Sequence, residues 1–189
     1  MKIPILLRSI RSKFAQSADA CVLIRKLLES ESHDLYRLSP LDSGVEVEVI
    51  ADKPFSRLDY AVFRHFNFLC YLEVMTSSKY SFSGPRGSQC ITLGTDKFED
   101  ALKRLKKGFN CIFVYYLPLD ESEPLNRFYF TSVQDILSVR ALCIEGSNYD
   151  SIYLKTPLTI WHCGLKQLIA KLDSIPEASC IIKDPDFNV

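Results

Sequence analysis

The chain has 189 residues, 47% of them hydrophobic and 24% charged, which fits one globular domain with a real core and excludes a disordered or low-complexity chain. Its 23 basic and 23 acidic side chains cancel, so net charge draws it toward neither nucleic acid nor membranes. The seven cysteines (21, 70, 90, 111, 143, 163, 180) contain no CxxC pair and mostly adjoin apolar residues, which argues against a disulfide framework or zinc ribbon and for reduced thiols in a cytoplasmic protein. Met1–Leu7 is interrupted by Arg8 and Arg11, and the longest apolar run, Cys111–Leu117, is too short to span a bilayer, so export and membrane insertion are not expected. Charge is unevenly distributed nonetheless. Lys2, Arg8, Arg11, Lys13, Arg25 and Lys26 face only Asp19 in the first 26 residues, which leaves a basic N-terminal arm.

In chain order, Gln16–Glu29 places Ala20, Leu23, Ile24, Leu27 and Leu28 at helical spacing, with Asp34–Leu38 as a short extension. Val45–Ile50 alternates strictly, as a half-buried strand does, and Asp52–Ser56 with Pro54 is a turn. Leu58–Phe63 and Phe68–Met75 read as two strands joined at Arg64–Asn67. Thr76–Ser88 is a polar loop or irregular hairpin, and Cys90–Leu93 a short strand. A helix over Lys97–Lys107 follows, capped by Thr95 or Asp96 and stopped by Gly108. Asn110–Leu117 is an apolar, aromatic-rich run with the character of a central strand. Beyond the acidic Pro118–Pro124 loop come a strand at Arg127–Phe130 and a helix at Ser132–Val139 capped by Ser132. Strands at Arg140–Ile144 and Ser151–Tyr153 flank a Gly146-Ser147-Asn148 turn, and a final helix spans about Ile160–Leu172. This order predicts a single α/β domain, a mixed central sheet flanked by helices.

Chemistry concentrates in the Leu58–Met75 hairpin. Asp59 opens one strand and Glu73 lies near the end of the next, so antiparallel pairing brings the two carboxylates together. Carboxylates held that close repel, and a divalent cation is the usual reconciliation. Mg²⁺ (or Mn²⁺) suits such a site, completed by waters and phosphate oxygens, with the Val74 carbonyl as a further ligand. A cation there activates water and stabilises charge on a phosphodiester.

With these residues in view, Leu58-Asp59-Tyr60-Ala61-Val62-Phe63 and Leu72-Glu73-Val74-Met75 resemble the paired motifs of the PD-(D/E)XK (restriction-endonuclease-like) nuclease superfamily. The surrounding order of first helix, meander, helix 97–107 and strand 111–117 is similar too, over about residues 17–130, with 131–189 as a C-terminal elaboration. The resemblance implies a restriction-endonuclease-like core and metal-dependent hydrolysis of DNA, with Asp59 and Glu73 as metal ligands. It also implies an additional acid at Glu29 or Glu31. The sequence departs from the pattern at two places. Leu58 stands where the family has proline, and Met75 stands where it has the lysine that orients the attacking water. Lys79 or Lys97 is expected to supply that cation, giving Asp59, Glu73, Lys79 and Lys97 as the catalytic set. The alternative is a catalytically inactive module of the same fold that binds nucleic acid or a protein partner. DNA is the expected partner, and a homodimer is compatible with cutting both strands.

Other candidates carry less. Ser83–Gln89 lacks a P-loop lysine, and its Pro85 removes a donor. Lys103, Arg104, Lys106 and Lys107 fit either a phosphate-tracking surface or simple compensation of a helix dipole, with the latter preferred. His162-Cys163 cannot form a nucleophile–base pair from adjacent positions. His33 and His65 read as surface or turn histidines, and Trp161 as the anchor of the final helix.

Overall fold

The computed structural model describes residues 20–37, 58–76, 90–116, 128–148 and 151–176. The strand expected at Val45–Ile50 and the loops at Ser83–Gln89 and Pro118–Pro124 lie outside them. The first helix, α1 (20–29), buries Ala20, Cys21, Ile24 and Leu28, the stripe that helical spacing predicts. It does not extend beyond residue 32. Ser32 takes φ 64°, which no helix accommodates, and Asp34–Arg37 forms strand β1 instead.

β2 (Tyr60–Arg64) and β3 (Asn67–Thr76) form the antiparallel hairpin, in register Tyr60↔Leu72, Ala61↔Tyr71 and Val62↔Cys70. Its turn is tighter than expected, with His65 and Phe66 at φ 49° and 66°. After β4 (Cys90–Gly94) comes α2 (Thr95–Lys106), then β5 (Asn110–Tyr116), which returns parallel to β3. Gly94, rather than Thr95 or Asp96, occupies the N-cap, and no side chain caps this helix. Gly108 ends the turn after it, at φ 91°, as glycine does best.

β6 (Phe128–Ser132) pairs antiparallel with β5, and α3 (Val133–Ser138) starts from a capping box between Ser132 and Asp135. Arg140–Leu142 is a 3₁₀ turn and not a strand. β7 (Ile144–Asn148) begins after it and contains the Gly146-Ser147-Asn148 segment expected to turn. β8 (Ser151–Pro157) is longer than expected, running four residues past Tyr153. The final helix starts later than its apolar spacing suggests. A 3₁₀ turn at Leu158–Ile160 and a two-residue strand, β9 (His162–Cys163), precede α4 (Leu165–Asp173).

The main sheet has six strands in the order β1-β2-β3-β5-β6-β9, and a second sheet has the order β4-β8-β7. Because β3 and β5 are parallel and the other pairings antiparallel, the central sheet is mixed. Alternation along its strands makes two cores. Tyr60, Val62, Leu72, Val74, Ile112 and Val114 face α1 and α4, whose Leu168 and Leu172 complete that side. Ala61, Tyr71, Phe113 and Tyr115 face the other way, toward Phe98 and Ala101 of α2, Ile91 and Leu93 of β4, and Trp161. Among the described residues no helix is long and apolar enough to cross a membrane.

Candidate active site

The register of the hairpin places the carboxylates. Since Tyr60 is opposite Leu72 in an antiparallel pair, Asp59 falls opposite Glu73, on the face that also carries Ala61 and Tyr71. Both are buried, Asp59 at 8% exposure and Glu73 at 4%. Asp59 Oδ2 accepts a hydrogen bond of 2.8 Å from the Val74 N–H. Within a strand the N–H and C=O of one residue point to the same side, so the Val74 carbonyl lies on the β2 side of β3.

Lys97, in the first turn of α2, reaches down onto this pair. Its Nζ lies 2.9 Å from Glu73 Oε1, and its side chain keeps about a third of its surface exposed. The other oxygen, Glu73 Oε2, is buried without a hydrogen-bond partner among the described residues. Burial raises the Glu73 pKa well above the ordinary carboxylate value, and the neighbouring charge of Asp59 raises it further, while Lys97 pulls it back. For Lys97, burial opposes the charged form, but the charge and hydrogen bond of Glu73 and the charges of Asp59 and Asp96 outweigh it. Its pKa is raised overall. Lys97 is therefore an ammonium at neutral pH and serves as a donor and positive charge, not as a base.

The structure thus brings Asp59, Glu73, Val74 and Lys97 together, while Lys79 lies outside the described residues. Met75 follows Glu73 by two positions, shares its face and packs partly buried against the α2-side core. An apolar side chain there contributes volume and no charge. Glu29 is not directed at this site in any contact of the described residues. It is exposed and bonded to Arg25 at 2.7 Å. Glu31 is exposed as well. The donors suit a hard divalent cation: two carboxylates, one of which, Glu73, keeps a buried oxygen that no donor among the described residues meets. No group of three or more His, Cys, Asp or Glu suited to a metal occurs among the described residues.

Several other expectations need correction. Arg104 does not belong to a solvent-facing basic stripe. It is 2% exposed, its guanidinium stacks 4.1 Å from the Tyr71 ring, and its Nε lies 3.5 Å from Asp100. His33 is buried rather than on the surface, with Nε2 3.4 Å from Asp173, which Arg64 also holds at 2.9 Å. Trp161 fixes the segment before α4, donating to Thr156 Oγ1 at 2.9 Å and packing edge-on against Tyr115, in the core opposite that of α4. Cys21, Cys70, Cys90 and Cys111 are buried, reduced thiols, whereas Cys163 is exposed.

No family model matches the chain, and no curated protein matches it in sequence. Solved structures do. A nuclease from a fusselovirus superposes with a TM-score of 0.52 at 16% identity, covering 84% of this chain and 91% of that one. The Holliday junction resolvase Hjc of Archaeoglobus fulgidus, an archaeal hyperthermophile, gives a TM-score of 0.39 at 14% identity, covering 73% and 87%. The likeness to the fusselovirus nuclease is one of architecture: the chain is an α/β protein whose mixed central sheet, flanked by helices, forms a restriction-endonuclease-like core.

Proposed function

We propose that this protein is a metal-dependent nuclease that hydrolyses phosphodiester bonds in DNA. The observation that carries the reading is the Asp59–Glu73 pair, buried side by side with Glu73 Oε2 unpartnered among the described residues, in a fold shared with a viral nuclease. Asp59, Glu73 and the Val74 carbonyl would hold Mg²⁺ or Mn²⁺. When bound, such an ion supplies Lewis acidity and a water of lowered pKa. Lys97, its Nζ 2.9 Å from Glu73 Oε1, would bring its positive charge to the attacking water or a phosphate oxygen. Burial of the acids keeps competing water away and strengthens each of these interactions.

The test is cleavage of supercoiled plasmid with Mg²⁺ or Mn²⁺ by wild type and by Asp59→Ala. The reading expects nicking or linearisation by wild type, none in EDTA, and none by the variant. Cleavage that survives the substitution would place the chemistry elsewhere.

Met75 supports a second reading, a catalytically inactive module of this fold that binds nucleic acid or a protein partner. It predicts DNA or protein binding without turnover in any divalent cation.

A further inference from the structure

The end of the hairpin remote from Asp59 and Glu73 has a different character. At its tip His65 and Phe66 both hold positive φ, 49° and 66°, where side chains with a Cβ are strained. Two-residue turns of this hand favour Asn-Gly because that pair avoids the strain. Here an aromatic residue takes the second position and is 95% exposed. Nothing about folding asks for this. Phe66 adds no buried area, and a glycine would close the same turn at lower cost.

The basic end of α2 lies beside this tip. Phe109, two residues after Lys107, meets Phe68, two residues after Phe66, edge-on with ring centroids 5.7 Å apart, and meets Tyr71 at 5.8 Å. Lys103, Lys106 and Lys107 are exposed on this C-terminal part of α2. Burial of Arg104 over Tyr71 stiffens the base on which the tip stands. From Asp59 to His65 the strand covers six residues, about 20 Å, which is about the length of six stacked base pairs.

We propose that Phe66 is a base-stacking contact: the hairpin tip holds an unpaired or unstacked nucleobase of a DNA substrate while the lysines at the end of α2 meet the adjoining phosphates. This rests on the reading of the protein as a DNA-acting nuclease and adds a substrate class, DNA with accessible bases at a fork, bulge or single-stranded end. A lone exposed ring near a lysine-rich helix end is what stacking requires, because a base offers a π-face of any sequence and the backbone offers negative charge. A second protein copy would bury more than one apolar side chain at such a contact, and among the described residues Phe66 is the one large apolar side chain exposed at this tip.

The experiment measures binding of fluorescein-labelled duplex, single-stranded and bulged DNA by anisotropy, in EDTA so that nothing is cut. It uses wild type, Phe66→Ala, Phe66→Trp and Phe66→Gly. Wild type is expected to prefer single-stranded and bulged DNA. Phe66→Ala should lose about ten-fold or more on those two and little on duplex, and Phe66→Trp should keep the preference. Phe66→Gly should weaken binding in the same way while raising the melting temperature by roughly 2–4 °C, a combination that a merely structural role does not produce. Equal affinity of wild type and Phe66→Ala for all three DNAs overturns the proposal and leaves the nuclease reading standing. Loss of a sedimenting dimer in Phe66→Ala overturns it in favour of self-association. Failure of wild type to bind any DNA removes the nuclease reading, and this inference with it.

Discussion

The two faces of the central sheet differ in chemistry although the same strands build both. The face toward α1 and α4 is mostly aliphatic, with Val62, Leu72, Val74, Ile112 and Val114 meeting Ile24, Leu28, Leu168 and Leu172 beside Tyr60, Phe128 and Phe130. The face toward α2 is aromatic, through Tyr71, Phe113, Tyr115, Phe98 and Trp161, and it also takes in the buried charges of Asp59, Glu73 and Arg104. Along β3 the two alternate residue by residue: Leu72 and Val74 serve the first, Glu73 and Met75 the second. One face spends its positions on cohesion. The other gives up cohesion to keep two carboxyl groups adjacent, whose joint ionisation a divalent cation would favour.

If the faces divide stability from chemistry, substitutions should separate the two. The largest effect is expected for Asp59→Ala, a loss of about 1000-fold in cleavage rate, roughly 4 kcal/mol of barrier, with little change in melting temperature. Plasmid assays beside thermal denaturation would check it, and a variant that unfolds as readily as it loses activity would blur the division. Leu72→Ala, next to Glu73 but on the opposite face, should cost about 3 kcal/mol of stability in urea unfolding and leave activity per folded molecule near that of wild type. Lys97→Met should lower turnover by about 30-fold, roughly 2 kcal/mol of barrier, while divalent-cation affinity is retained. Loss of the cation along with turnover would assign Lys97 to holding the acids in place.

The smallest effect has an unusual sign. Because the Glu73 pKa is raised in the folded state, the fold holds a proton that the unfolded chain releases above about pH 4.5. Its contribution to stability is therefore complete below that pH and is lost as pH rises through the elevated value. Glu73→Gln does not titrate and escapes this loss, so in EDTA at neutral pH it should be about 1 kcal/mol more stable than wild type. The difference should vanish below pH 4.5 and reverse when a bound cation stabilises the wild type. Melting curves at several pH values, with and without Mg²⁺, would read it.

The hairpin was legible in the sequence because a strand alternates with a fixed period, and Asp59 and Glu73 lie on the same face only in one register. Lys97 was legible as a candidate through its place at the start of a strongly amphipathic helix, although nothing in the chain distinguished it from Lys79. Arg104 was not: it sits among Lys103, Lys106 and Lys107, and only the third dimension turns it inward over Tyr71. The burial of His33 is hidden for the same reason, since it sits beside Asp173, 140 residues away in the chain. The late start of α4 was hidden because Ile160, Trp161 and Leu165 fit helical spacing equally well when they belong to a 3₁₀ turn, a link and a helix. Short-range pattern fixes periodic elements; contacts distant in sequence decide which of their polar residues are buried.

The most direct measurement is binding of Mn²⁺ followed by electron paramagnetic resonance, on wild type, Asp59→Ala and Glu73→Gln. The account predicts a bound ion in wild type that Mg²⁺ displaces, and that weakens about ten-fold or more in each variant. Wild-type protein that leaves Mn²⁺ free in solution, or variants that hold it as tightly as wild type, would contradict the claim that this carboxylate pair is a metal centre.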